Sequence, residues 1–232
     1  MKKTLYLHIG GHKTGTSAIQ YFLCLNRNNL LNNGYLYPYT GKSNAHHFFP
    51  HGIQNKTSLY ANPKEKITIV MNEIKSTCQC NIIISSEDFE LLNKEEISAL
   101  KNLISRKFFV KIIFYARRQD SSIESRYNQR VKAPKIRLKK TFYGFFRDDP
   151  FPRLDYYSLL SNWKEIFGKE NIIVRCYEKE QLSNGLFFDF LSAIGLELDD
   201  NYIIPKEKIN QSLPWDLIEI IRLCNIQFKN IL

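Results

Sequence analysis

Near its start the chain runs from an apolar stretch, Leu5–Ile9, straight into Gly10-Gly11-His12-Lys13-Thr14-Gly15-Thr16-Ser17. A helical pattern follows over Ser17–Leu25, with apolar residues at Ala18, Ile19, Phe22 and Leu23. A buried strand, a glycine turn and a helix in that order open a nucleotide-binding α/β fold. Glycines let backbone N–H groups come close to an anion, and the helix start adds the positive end of its dipole. Gly11, His12, Lys13, Thr14, Gly15, Thr16 and Ser17 thus read as a cradle for phosphate or sulfate. Lys13 supplies a point charge, and Thr14, Thr16 and Ser17 supply hydroxyl donors. Gly10 and Gly15 have the spacing of a Walker A loop, but Thr16 stands where that loop has its lysine.

Further strands of the buried, continuously apolar kind are expected at Asn81–Ser85, Val110–Tyr115 and Ile172–Cys176. Helical patterns lie between, at about Glu65–Thr77, Lys94–Ser105, Ser121–Arg130 and Tyr156–Phe167. Alternation of this type predicts a parallel sheet flanked by helices on both faces, a three-layer α/β sandwich. Tyr35–Asn62 reads as an irregular excursion over the sheet, and Ala133–Arg153 as a long functional connection. Pro214–Leu232 is amphipathic and ends in Ile231-Leu232 without a capping residue, so the domain is expected to stop short of its natural end.

The 232 residues suit a single domain spanning 1–232, and 44% hydrophobic content is enough for a sizeable core. Thirty-three Lys and Arg against 23 Asp and Glu give a net charge of +10. That excess points to an anionic partner without choosing among nucleotide, nucleic acid, acidic glycan and membrane surface. The five cysteines form no CxxC pair, which fits reduced thiols in a cytoplasmic protein and no zinc site. The apolar run after Met1-Lys2-Lys3 is shorter than the roughly 7–15 residues of a signal-peptide core. No stretch approaches the roughly 20 apolar residues of a membrane span.

The strand at Val110–Tyr115 runs into Ala116-Arg117-Arg118-Gln119, with Ser125 inside the next helix. Arginine offers a fork of N–H donors to phosphate, and a serine hydroxyl completes such a contact. The strand Ile82-Ile83-Ile84 ends in Ser85-Ser86-Glu87-Asp88. Carboxyl ends of parallel strands face the ligand crevice, so Glu87 is placed to act as a general base, while Asp88 suits a helix cap. His46, His47 and His51 lie in the irregular excursion, and the His46-His47 pair is the rival base.

Together the Lys13-to-Ser17 loop, the Ser-Ser-Glu strand end and the Arg117/Ser125 pair resemble the PAPS-dependent sulfotransferases, the bacterial carbohydrate type in particular. PAPS is 3′-phosphoadenosine 5′-phosphosulfate, and its desulfated product is PAP. Looser likeness continues through Leu154-Asp155-Tyr156-Tyr157, Trp163 and Phe167–Ile172, with Asn210–Leu213 matching a late loop over the nucleotide. The resemblance implies that the first loop holds the 5′-phosphosulfate and that Arg117 and Ser125 hold the 3′-phosphate. Sulfuryl transfer to an acceptor hydroxyl is then expected, with Lys13 and either Glu87 or His47 in the chemistry, and no metal or nucleic acid involved. Eight basic residues from Arg126 to Arg147, with no acidic one between, suggest an anionic saccharide or glycolipid acceptor or else a solvated face. Two other readings stay open: a P-loop kinase or NTPase using ATP and Mg²⁺, with Asp88 as metal ligand, and a non-catalytic polyanion binder.

Overall fold

The computed structural model describes residues 2–39, 41, 43–56, 62–104, 108–148, 154–205 and 213–227. Among them, strands β1 (Lys3–His8), β2 (Tyr35–Leu36), β3 (Asn81–Ser85), β4 (Phe108–Ala116) and β5 (Ile172–Cys176) form one sheet. The order is β2-β3-β1-β4-β5 and every pairing is parallel. With β1 in the middle, Leu5, Leu7, Ile82, Ile84 and Ile112 are at most 1% exposed. Burial on both faces explains why these strands read as unbroken apolar runs.

Helices cover each face. On one side α4 (Pro63–Ser76), α5 (Lys94–Ile104) and α8 (Tyr156–Phe167) contribute Val70, Ile97, Leu100 and Trp163 to a core with Leu5, Leu7 and Ile84. On the other, α1 (Thr16–Leu25) and α9 (Leu186–Ala193) pack Ile19, Phe22, Leu23, Phe190 and Leu191 against Ile83, Ile113 and Tyr115. Alternate strand residues feed the two cores, as the period of two requires. Trp163 is fully buried, and truncating it to alanine should cost about 3–5 kcal/mol.

A third cluster sits beside the sheet. There α6 (Gln119–Lys132), α7 (Phe142–Asp148) and α10 (Trp215–Gln227) share Ile123, Tyr127, Val131, Phe145 and Ile218. It fixes the outer flank of α6, whose inner flank faces the carboxyl ends of β1 and β4.

The expected strands and helices lie close to their sequence positions, and β3, β5 and α8 coincide with them. The segment from Tyr35 differs from an excursion over the sheet. Tyr35–Leu36 joins the sheet as its edge strand, α2 (Arg27–Asn32) precedes it, and α3 (Phe48–Ile53) follows with Phe48 and Phe49 in the core. Aromatic burial overrides the weak helical propensity of a segment carrying Pro50 and Gly52. The long connection after Ala133 contains α7. Residues 210–212 of the expected late loop and the chain end at Ile231-Leu232 lie outside the described residues.

Candidate active site

The chain leaves β1 toward β2 on one side of the sheet and crosses from β3 to β4 toward the other, which opens a crevice at the carboxyl end of β1. The loop after β1 turns sharply, with Gly10, Lys13 and Gly15 at φ of 105°, 66° and 73°. A side chain at Gly15 would come within 2.5 Å of Leu186 Cδ2 and 3.1 Å of Tyr177 Cε2, so both backbone angle and space call for glycine. The hydroxyls of Thr14 and Thr16 donate to the Gly11 carbonyl, the latter at 3.2 Å. These two hydroxyls brace the loop, whereas free donors toward an anion were expected. Thr14 is buried and Gly11 donates its N–H to Tyr115 O at 3.2 Å.

Gly15 caps α1 without a side-chain hydrogen bond, and the helix has no acidic residue in its first turn. Ala18 N–H is already bonded to Gly15 O at 2.9 Å, which leaves the N–H groups of Thr16 and Ser17 without intrahelical acceptors, and no carboxylate of that turn neutralises the dipole end. In front of it lies a cavity of about 660 Å³. From the loop and α1, His12, Lys13, Gly15, Thr16, Ser17 and Ala18 line it; from the other strand ends come Glu87, Arg117 and Tyr177. The inner flank of α6 adds Ser125, Asn128, Gln129 and Lys132. The volume falls in the range of roughly 300–1,000 Å³ usual for organic ligands.

Electrostatics of this cavity favour an anion. Burial depresses the Lys13 ammonium below its ordinary value, Lys132 and Arg117 push it the same way, and Glu87 opposes them. Arg117 donates to Lys13 O at 3.0 Å and lies 5.8 Å from the centre of the Tyr177 ring. Tyr156 Oη holds the Arg117 carbonyl at 2.8 Å. Asn128 is buried, and its Oδ1 finds no partner among the described residues, so the wall also offers an acceptor to a ligand hydroxyl or amine. Gln20, Asn128, Lys132 and Tyr177 were not foreseen as site residues. Lys132 stood within the basic stretch, and Tyr177 follows the end of β5 as Arg117 follows β4.

Beside the cavity a short 3₁₀ turn, Glu87–Leu91, follows β3 and is capped by Ser86, whose Oγ accepts from Asp88 N at 3.2 Å. Glu87 Oε2 accepts from Gln20 Nε2 at 2.9 Å. His47 Nδ1 lies 3.1 Å from Asp88 Oδ2 and 2.8 Å from Ser86 Oγ, which leaves its Nε2 4.0 Å from Glu87 Oε2. His51 Nε2 is 3.0 Å from the same Asp88 oxygen. Burial works against a charged His47, but the Asp88 hydrogen bond and the charges of Glu87 and Asp88 outweigh it and raise its pKa. Burial would raise Asp88, yet bonds from His47 and His51 hold it down to about 2.

His46 stands apart from this chemistry. It is fully buried, its Nδ1 accepts from Ser85 N at 3.2 Å, and its Nε2 donates to Pro38 O at 3.3 Å. Burial drives its pKa down to about 3, so it stays neutral and structural. Of the two histidines weighed as a base, only His47 borders Glu87. Among the described residues no group of three or more His, Cys, Asp or Glu side chains is arranged to hold a metal.

The strands and helices define a parallel α/β scaffold whose central strand ends in a glycine loop beside a cavity. In architecture it is sulfotransferase-like: it superposes on a sulfotransferase from Alicyclobacillus acidocaldarius with a TM-score of 0.54, covering 98% of this chain and 95% of that one. Identity is 13%, so the likeness is one of fold alone. A mouse sulfotransferase solved with PAP aligns at a TM-score of 0.47 and 15% identity over 87% of this chain and 62% of its own, too remote to carry an argument. An uncharacterized protein of Archaeoglobus fulgidus is 38% identical over 120 residues, which are 51% of this chain and 31% of that protein. The match thus spans about a third of that relative's length. No family model matches the chain. Among the described residues no helix is long and apolar enough to cross a membrane.

Proposed function

We propose that the chain transfers a sulfuryl group from PAPS to a hydroxyl of a saccharide or glycolipid. One observation carries the reading: a single cavity is lined by the Lys13–Ser17 loop, by Arg117 with Ser125, and by Glu87. In the sulfotransferase resemblance these are the sites of the 5′-phosphosulfate, the 3′-phosphate and the base. Lys13, Arg117 and Lys132 match the charge of a nucleotide with phosphate groups at both ends, and Asn128 Oδ1 can accept from its sugar or base.

In this reading the acceptor oxygen forms a bond to sulfur while the bond from sulfur to the bridging phosphate oxygen breaks. The electron pair stays on the departing phosphate. Glu87 takes the hydroxyl proton, its free carboxylate oriented by Gln20 and by the neighbouring His47. Lys13 and the amides at the start of α1 face the charge that moves to the leaving oxygen. Arg117 and Ser125 hold the 3′-phosphate and so favour PAPS over ATP.

The kinase reading is weaker on two counts. Thr16 occupies the position of the P-loop lysine, and Asp88, its candidate metal ligand, is engaged by His47 and His51. A simple polyanion binder has no use for a glycine-braced cavity beside a positioned carboxylate.

Thermal shift with ligands tests the proposal. PAP should raise the melting temperature without added metal, and by more than ATP with Mg²⁺ does. Equal stabilisation by the two, or none by PAP, would remove the basis for a 3′-phosphate site.

A further inference from the structure

The inner flank of α6 carries a row of polar residues. Ser125, Asn128 and Lys132 follow one another at intervals of three and four, so they share one face of the helix, and all three line the cavity in front of α1. With a rise of about 1.5 Å per residue, Asn128 stands about 4.5 Å along the axis from Ser125, and Lys132 about 6 Å beyond it. The two ends of the row belong to different parts of the cavity. Helix α6 starts directly behind Arg117, so Ser125 lies toward the Arg117 end. Lys132 is the last residue of α6, and after burial its charge does most to depress the Lys13 ammonium, which places it beside the first loop.

Asn128 sits between these ends. It is 6% exposed, and its Oδ1 is buried with no hydrogen-bond partner among the described residues. An unpaired buried acceptor is costly, and one in a cavity wall calls for a donor from a guest. The last torsion of asparagine is broad, so the oxygen swings toward such a guest at little cost. An ionised phosphate cannot satisfy it, because phosphate only accepts. The part of PAPS that lies between its two phosphate-bearing positions is the ribose. With the 3′ and 5′ oxygens esterified and the base on the first carbon, the 2′-hydroxyl is the only O–H donor that this sugar retains.

We propose that Asn128 accepts a hydrogen bond from the ribose 2′-hydroxyl of the donor nucleotide and so selects ribonucleotide over deoxyribonucleotide bisphosphates. The inference rests on the cavity being the donor site and on Ser125 standing at the 3′-phosphate. A 2′-deoxy sugar would leave Oδ1 unpaired behind the bound ligand. Discrimination therefore comes from the orphaned acceptor as well as from the missing contact.

The test compares calorimetric affinities for PAP, for its 2′-deoxy form, and for purine riboside 3′,5′-bisphosphate, which lacks only the base amine. The wild-type protein should bind PAP about 5–30-fold tighter than the deoxy form, the scale set by a buried acceptor left unpaired. This comparison needs no variant, so it stands whatever a substitution does to the fold. Asn128→Ala should bind PAP and the deoxy form alike. Asn128→Asp retains an acceptor oxygen and should keep the preference, while its added negative charge weakens both nucleotides. The difference between PAP and the purine riboside compound should be the same in wild type and Asn128→Ala. Equal binding of PAP and its deoxy form by the wild type overturns the proposal. So does a preference that survives Asn128→Ala, which would assign the amide to a phosphate, or a change confined to the base-amine comparison, which would assign it to the adenine. Failure of PAP to bind the wild type overturns the donor reading and this inference with it, whereas equal binding of the two sugars overturns this inference alone.

Discussion

Arg117 donates a hydrogen bond to the main-chain carbonyl of Lys13 at 3.0 Å, tying the end of β4 to the loop after β1. A residue proposed to hold one phosphate of the donor thus also shapes the loop proposed to hold the other. Arg117→Ala should weaken PAP by about 1.5–3 kcal/mol or somewhat more, since it removes a charged donor and loosens the loop. Ser125→Ala, a neutral donor with no such second task, should cost about 1 kcal/mol. Calorimetric titration with PAP reads both, and equal losses would show that the tie to Lys13 has no bearing on affinity.

Glu87 and His47 lie 4.0 Å apart and invite a test of which carries the proton. Glu87→Gln keeps the shape and the site for Gln20 but cannot accept a proton. Transfer of labelled sulfuryl from PAPS should fall by roughly 10²–10⁴-fold with PAP affinity retained. His47→Asn should shift the pH profile of the rate more than its height. Near-normal transfer by Glu87→Gln, with collapse in His47→Asn, would move the base to the histidine.

Buried His8 and His46 set the acid side of stability. Burial lowers both to about 3 from an ordinary value of 6.5. The unfolded chain then binds protons that the folded chain refuses, so stability is full above pH 6.5 and falls as pH drops toward 3. The slope reaches about 1.4 kcal/mol per pH unit for each residue. His47 acts with the opposite sign and above that window, because its raised pKa favours the fold while it is charged and loses that contribution as pH rises. Urea unfolding at pH 7, 6 and 5 should show the decline, and His46→Gln should reduce it. A level profile over that range would contradict the assignment of both as neutral.

Gly15 has a left-handed backbone and no room for a methyl group. Gly15→Ala should destabilise the fold by roughly 1–3 kcal/mol through angle strain and the contact with Leu186. Denaturant midpoints measure this directly. An unchanged midpoint would mean that the loop relaxes freely, at odds with its bracing by Thr14 and Thr16.

Much of the fold was readable because β1, β3 and β4 are buried on both faces and leave continuous apolar runs such as Ile82-Ile83-Ile84. The edge strand Tyr35–Leu36 was not, since two residues make no period. Helix α3 was hidden by Pro50 and Gly52, whose cost is met by burying Phe48 and Phe49. In the site, Lys13, Glu87 and Arg117 stood out through their place after strand ends, and Ser125 through its spacing from Arg117. Asn128 and Lys132 did not, because they reach the cavity only through the rotation of α6, and Gln20 looks like any polar residue on a helix. The basic stretch gave the sign of its charge but not which members face inward; the rotation of α6 turns Lys132 to the cavity, while Lys140 and Arg147 pair with Asp148 at the surface.

His47 and His51 reach the same Asp88 oxygen, at 3.1 and 3.0 Å, one from just before α3 and the other from its last turn. The turn that carries Glu87 is therefore tied to α3 at both ends, and the two open as one unit. A fluctuation that frees α3 from the sheet draws Glu87 away from the cavity with it. The placing of that carboxylate is thus set by the stability of a helix none of whose residues lines the cavity.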